Sequence, residues 1–436
     1  MNRHLEPQQA RDESPRLLAA ADPSWGAHLA AHGELPPAGG LEALAAAAAA
    51  AGLAGRGGAG FPTARKLLSL RGTAPLVIAN GSEGDSFSAK DAMLLARAPW
   101  LVLEGLRLLA EAVGSRRTVV RAPAEALAGI RAADPGQECS EATGTFIEGE
   151  ASAVVAAVTG RAALPSFHAL PLSQTQPGRP PALVLNVETL AVLALAWRTA
   201  ARGAPPPSTR LYTVSGDGVG GPLPDGAWGP SALAPGQRWV IEADAGASAA
   251  EVLEAAGLDA SRLAATGASV LVGGRHGHWL GAEQVAGGAM RVAGSASPRG
   301  TGGGMLHVVG AERCPVDLVA ELAQVLAEDS AGQCGPCVFG LPALAASVGA
   351  LARGSGGSPH ELEELCQRVA GRGACHHPDG AVGFLRSSLA AFGEEFALHA
   401  RGSCSALHAH GDRARRGLAL TGPVPGPAQG GNREVA

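Results

Sequence analysis

The sequence predicts an α/β domain, followed by a small α+β domain of β-grasp type and a C-terminal helical bundle. Three observations carry this order. Between residues 41 and 203, apolar stretches of helical character alternate with short β-like runs, the pattern of an α/β layer. Residues 209–290 switch to strand, strand, short helix, strand. Residues 300–405 open on a glycine run and continue with four segments whose apolar residues recur at helical spacing, as in a bundle with short connections.

Taken in order, residues 1–40 are rich in Pro, Gly and Ala and are expected to form a loosely attached leading segment. Leu41–Leu53 is mostly alanine, the best helix former. It is too short and too weakly apolar to span a bilayer. Met1–Pro23 is charged and lacks the apolar core of a signal peptide, so the expected location is the cytoplasm, without membrane insertion. Leu76–Ala79, Thr118–Val120 and Ala182–Leu185 are the expected strands of the first domain, and Ala204-Pro205-Pro206-Pro207 marks a linker. Arg210–Ser215, Arg238–Glu242 and Ser269–Val272 read as strands, with a short helix at Ala249–Ala256. Val316–Glu328, Leu341–Ala352, Pro359–Val369 and Ala381–Ala400 read as helices. The Gly-, Pro- and Arg-rich tail, 406–436, is expected to be disordered.

A chain of 436 residues exceeds one small core and favours two or three domains. Its formal net charge of −5 supplies no electrostatic footprint for nucleic acid or an anionic membrane. Seven cysteines, an odd number in a large chain, argue against a disulfide framework. Four of them, Cys334, Cys337, Cys366 and Cys375, fall close together, while Cys314 and Cys366 read as core residues and Cys139 and Cys404 as surface thiols. Only two lysines occur, Lys66 and Lys90, and apart from Asn2 and Asn432 only two asparagines, Asn80 and Asn186. All four lie in segments that carry motifs.

The first such segment is Gly55-Arg56-Gly57-Gly58-Ala59-Gly60-Phe61-Pro62-Thr63-Ala64-Arg65-Lys66. Glycines let backbone N–H groups approach a phosphate, a following helix adds a favourable dipole, and a lysine one turn on adds a point charge. The glycines by themselves fit a flexible turn between two helices equally well.

The segment closely resembles the FMN- and NADH-binding loop in the family of the complex I flavoprotein subunit, which has relatives in soluble hydrogenases and formate dehydrogenases. Asn80-Gly81-Ser82-Glu83-Gly84-Asp85 with Lys90-Asp91 is similar to the family's N-x-D-E-x-E-P-G-x-x-K-D. Phe146-Ile147-Glu148-Gly149-Glu150 resembles Y-I-C-G-E-E, and Leu185-Asn186-Val187-Glu188-Thr189-Leu190 resembles N-N-V-E-T-L. The resemblance implies a flavin- and nucleotide-binding α/β domain. Gly57, Gly58 and Gly60 with Lys66 would face the FMN phosphate, Asn80 and Asn186 would line the flavin pocket, and Phe61 would stack on adenine. Glu83 and Glu150 would be the catalytic carboxylates beside the nicotinamide ribose and the flavin edge. For Phe61 alone, a core aromatic is the competing reading.

The sequence departs from the family at Ser82, Ser86-Phe87, Phe146, Ala151 and Leu185. These changes spare the phosphate cradle and fall on the dinucleotide contacts. The stretch from Leu211 through Gly273-Gly274 resembles the family's soluble-ligand-binding β-grasp domain, and Gly300-Thr301-Gly302-Gly303 its next glycine run.

The last motif is Asp329-Ser330-Ala331-Gly332-Gln333-Cys334-Gly335-Pro336-Cys337, where the family reads E-S-C-G-x-C-x-P-C with a fourth cysteine downstream, here Cys375. Thiolates so placed hold a cubane iron–sulfur cluster. Ala331 cannot bind iron, which leaves three thiolates. The fourth ligand would be Asp329, His376, His377 or water, or the cluster would have three irons. A bundle with free buried cysteines is the competing reading.

The resemblance thus implies an NADH dehydrogenase-type oxidoreductase that takes a hydride from NADH to FMN and sends single electrons to a cluster. A ferredoxin-like or other iron–sulfur electron-transfer subunit would receive them. Two alternatives stand beside it. Ala331, Ala151 and Leu185 would suit a non-enzymatic or electron-relay paralogue. An ion-translocating ferredoxin:NAD oxidoreductase component shares a similar glycine loop, but would carry tandem ferredoxin-type cysteine motifs that the sequence lacks.

Overall fold

Uninterrupted apolar runs form two strands of the first sheet, as expected of strands covered on both faces. In a computed structural model, which describes residues 16–70, 75–166, 171–174, 181–219, 227–228, 238–286 and 303–406, Leu76–Asn80 (β1), Thr118–Pro123 (β2), Cys139–Ala142 (β3) and Ala182–Asn186 (β4) pair in the order β3-β2-β1-β4. All three pairings are parallel. Helices Pro99–Val113 and Val187–Ala201 bury Leu103, Leu106, Leu190 and Leu193 over one face. Helix Ala151–Val158 covers the other with Val154, Val155 and Val158. β3 was not expected, because Cys-Ser-Glu-Ala lacks an apolar run. It pairs only at the sheet's edge, and Cys139 on it is half-buried rather than exposed.

The second sheet comprises Thr209–Gly216 (β5), Ala227–Trp228 (β6), Arg238–Asp244 (β7), Ser269–Val272 (β8), His278–Gly281 (β9) and Met305–Val309 (β10). Its order is β6-β7-β5-β10-β8-β9. β10 runs parallel to β5 and antiparallel to β8. Met305–Val309 was expected with the helical region. Its five consecutive buried residues instead fill the middle of this sheet. Tyr212, Ile241, Val252, Leu253 and Leu306 form its core.

Helices Pro315–Glu328, Leu341–Ala352, Pro359–Val369, His377–Ala391 and Gly393–His399 share another core around Leu322, Val348, Leu362, Phe384 and Phe396. The single helix expected over Ala381–Ala400 is two. It begins earlier because Pro378 suits a first turn, and it stops at Phe392, whose φ of −121° leaves the helical range. The Trp279 indole donates to Ser388 Oγ at 2.9 Å, fastening the bundle to the second sheet. Cys404, expected on the surface, is buried in this bundle, with Cys314 and Cys366.

The leading segment is not loose where it is described. Leu17 is fully buried, and the N–H groups of Leu17 and Leu18 donate to the Glu242 carboxylate on β7 at 2.5 and 3.0 Å. His28, on helix Trp25–His32, lies 2.9 Å from Glu104, which also accepts both bonds from Arg198. Residues 1–15 and the tail from 407 lie outside the described residues, as do Gly300, Thr301 and Gly302. Among the described residues, no helix is long and apolar enough to cross a membrane.

Candidate functional site

Ligand sites in parallel α/β sheets form beyond the carboxyl ends of the strands. Here Asn80 ends β1, Asn186 ends β4, and the two face each other in register. The glycine loop closes over them. Gly55 N–H donates to Phe61 O at 2.9 Å and Thr63 N–H to Leu53 O at 2.8 Å. Gly58 and Gly60 take φ of +112° and +61°, a region costly for side-chain-bearing residues. At Gly57 a Cβ would sit 3.3 Å from that of Asn186, so the loop backbone comes right down on the strand end.

The asparagines tie these pieces together. Asn186 caps helix Val187–Ala201 through Glu188 N–H, and its amide donates to the Asp91 carboxylate at 2.5 Å and to Asn80 O at 3.3 Å. Asn80 donates to Gly149 O at 3.0 Å and accepts from the N–H and hydroxyl of Ser82. Ser82, where the family carries an acid, is therefore turned inward. Burial pushes Asp91 up to about 7 against the pull of Lys90, which lies buried between Asp91 and Glu188 at 2.5 and 3.0 Å.

Lys66, on helix Thr63–Leu68, donates from Nζ to Val184 O at 2.5 Å. Desolvation lowers its pKa from the ordinary lysine value, and Glu150 opposes that shift. A desolvated ammonium bonded to a neutral carbonyl suits an anionic phosphate, so the loop fits the group expected there. Phe61 is 48% exposed, with the Arg65 guanidinium 5.7 Å from its ring centre. It is not a core aromatic.

Both carboxylates read as catalytic hold helix starts. Glu83 accepts from Ser88 Oγ at 2.5 Å and from Asp91 and Ala92 N–H at 2.9 and 2.8 Å, satisfying the first turn of helix Lys90–Arg97. Its φ is +42°, positive for no other non-glycine among the described residues. Glu150 caps helix Ala151–Val158 through Ser152 and Ala153 N–H at 2.8 and 3.2 Å.

The cysteine motif sits at the other end of this neighbourhood. Cys337 lies in a π-turn, Pro336–Gly340, a geometry frequent at functional sites. Its Sγ is 3.5 Å from that of Cys334. Burial opposes ionisation of Cys334, but N–H groups of Ala374 and Cys337 prevail and lower its pKa. Burial raises the Cys375 thiol, and Cys337, Glu150 and Cys334 raise it further. The three predicted thiols therefore converge. The Glu150 charge acts on both Cys375 and Lys66, raising the pKa of each. Ala331 offers no donor. Of the four candidate replacements, Asp329 pairs with Arg275, and His377 has both ring nitrogens engaged, by Leu326 O at 2.7 Å and His276 at 3.1 Å.

Arg275 is a junction of the site that was not evident in the sequence. Its backbone N–H donates to Asp85 at 2.8 Å, its guanidinium to Gly84 O at 2.5 Å and to Asp329, and it covers the Phe146 ring at 4.8 Å. Phe146 also packs on His276 and His377. One buried side chain thereby joins the Asn80–Asp85 segment to the cysteine segment. The signal in the sequence was slight: an Arg-His pair following Gly273-Gly274.

Residues 48–195 match the family profile described as the Nuo51 FMN-binding domain, and residues 317–399 that of the NADH-ubiquinone oxidoreductase-F iron-sulfur binding region. Both regions are thus similar to those of NADH-quinone oxidoreductase F-subunits. It is 27% identical over 394 residues to the NADH-quinone oxidoreductase F-subunit 2 of Rhizobium meliloti, covering 78% of this chain and 85% of that one. It is 29% identical over 383 residues to the F-subunit of Escherichia coli, covering 78% and 80%. Among solved structures, an NAD+-reducing [NiFe]-hydrogenase in the air-oxidized state superposes with a TM-score of 0.69 at 28% identity, over 84% of this chain and 64% of that chain. This F-subunit relative thus spans less than two thirds of the hydrogenase chain.

Proposed function

We propose that this chain is an NADH-oxidising flavoprotein of the F-subunit kind, an oxidoreductase that passes electrons to an iron–sulfur centre. The observation that carries the reading is the meeting of Asn80, Asn186, the glycine loop and Lys66 at the strand ends, with the Glu150 charge acting on both Lys66 and Cys375. FMN, when bound, takes up electrons in pairs and releases them singly, which is the chemistry an iron–sulfur acceptor requires.

The chain's own residues hold and orient. Lys66 and the N–H groups of residues 57–60 bind the phosphate. Asn80 and Asn186, fixed by their hydrogen bonds, set the floor of the pocket. Glu83 and Glu150 are pinned by helix amides and act as fixed acceptors beside it, rather than mobile proton shuttles. Cys334, Cys337 and Cys375 are the iron ligands, and with Asp329 and His377 engaged elsewhere only His376 or water is left for the fourth corner, whose iron is therefore easily lost. The order of domains follows the family: a flavin domain at 41–203, a β-grasp domain from 209 that takes in Met305–Val309, and a helical iron–sulfur domain from 315. A ferredoxin-like or other iron–sulfur protein receives the electrons.

Anaerobic purification with flavin and iron analysis, followed by stopped-flow mixing with NADH, tests the reading. The flavin absorbance should bleach. No bleaching at millimolar NADH or NADPH would transfer the chain to the second reading, an electron-relay paralogue, which Ala331 and the inward-turned Ser82 favour.

A further inference from the structure

The helical bundle holds a second cluster of metal-binding side chains, separate from the cysteine motif. Cys314, Glu395, His399 and Cys404 are all buried, and one ligand atom from each lies within 4.8 Å of the other three. Cys314 precedes helix Pro315–Glu328, whereas the cysteine motif follows its far end. A helix of that length spans about 21 Å, so the two sets do not share an ion.

We propose that Cys314, Cys404, His399 and Glu395 form a closed four-ligand site for a zinc ion. Zinc bonds of about 2.0–2.3 Å in a tetrahedron place neighbouring ligand atoms roughly 3.3–3.8 Å apart. His399 Nε2 lies 3.2 Å from Cys314 Sγ and 3.4 Å from Glu395 Oε1. Two thiolates, an imidazole and a carboxylate suit a borderline-soft, redox-inert dication.

The surroundings are those of a metal site. His399 Nδ1 faces the backbone carbonyls of Ala352 and Leu351 at 3.0 and 3.3 Å. Carbonyls only accept, so Nδ1 carries a proton and Nε2 is the ring nitrogen turned to the cluster, the second contact expected of a metal-binding histidine. Glu395 is buried, and its carboxylate accepts the Ser405 N–H at 2.9 Å.

Cys314 is the N-cap of its helix. The ion ties the start of helix Pro315–Glu328 to the end of helix Gly393–His399 and to residue 404. Its role is to close the bundle.

Metal analysis of the tag-free, full-length protein, purified without chelators, should find about one zinc per chain besides any iron. Zinc X-ray absorption should show a mixed shell of two sulfurs with nitrogen and oxygen. The Cys314→Ser/Cys404→Ser variant should lose the zinc, and Cys334→Ser should keep it. Absence of zinc, a zinc shell without sulfur, zinc retained in the double variant, or a Cys314–Cys404 disulfide in the isolated protein would each overturn the proposal. Zinc is counted independently of flavin and iron, so this outcome and that of the NADH reading stand or fall separately.

Discussion

The glycine-loop region and the cysteine-motif region differ in how far the protein completes them unaided. Around the loop, every polar side chain singled out already has partners: Asn80 and Asn186 are cross-linked, Glu83 and Glu150 cap helices, and Lys66 reaches a carbonyl. Around the cysteines, Cys334 and Cys375 are half-exposed, their segment is a loop and one π-turn, and Ala331 leaves the set a ligand short. A pocket built on strand ends is preorganised by the fold. A site built from thiols on loops depends on its cluster for order, because metal binding and local folding are linked.

The largest expected break in this contrast is Cys337→Ser. Elemental analysis should show nearly all cluster iron gone, with flavin content unchanged. Loss of both together would mean the two regions fold as one unit. Next comes Ala331→Cys, which restores the family's first ligand. Electron paramagnetic resonance of the oxidised wild type should show a three-iron signal that this variant suppresses, since cluster type follows ligand number. Identical spectra would show that another group already fills the corner.

On the loop side the effects are smaller, because many contacts share the load. Lys66→Ala removes a charge-assisted contact of about 1.5–3 kcal/mol, so FMN affinity measured by fluorescence quenching should fall roughly 10- to 100-fold. An unaltered dissociation constant would take Lys66 out of the phosphate site. Smallest is Glu83→Ala, which strands amides at the start of helix Lys90–Arg97 and should lower stability by about 1–2 kcal/mol in urea unfolding. If Glu83 served only in catalysis, turnover would fall with stability unchanged.

What the sequence determined by itself was whatever is written locally. Leu76–Ala79 and Ala182–Leu185 are strands because uninterrupted apolar runs suit a doubly covered sheet. The glycine loop and the cysteine spacing are legible because only glycine tolerates the loop's backbone and only thiolates of that spacing hold a cluster. The tertiary structure decided everything that depends on residues distant in the chain. Met305–Val309 looked like a lead-in to helices, but it completes a sheet whose other strands begin near residue 209. Arg275 became a junction only when the fold brought Asp85, Phe146 and Asp329 around it. Cys404 read as a surface thiol, and its burial beside Cys314, Glu395 and His399 joins positions 90 residues apart. Periodicity and spacing report on neighbours in sequence, whereas burial and charge pairing are set by which surfaces the packed chain brings together.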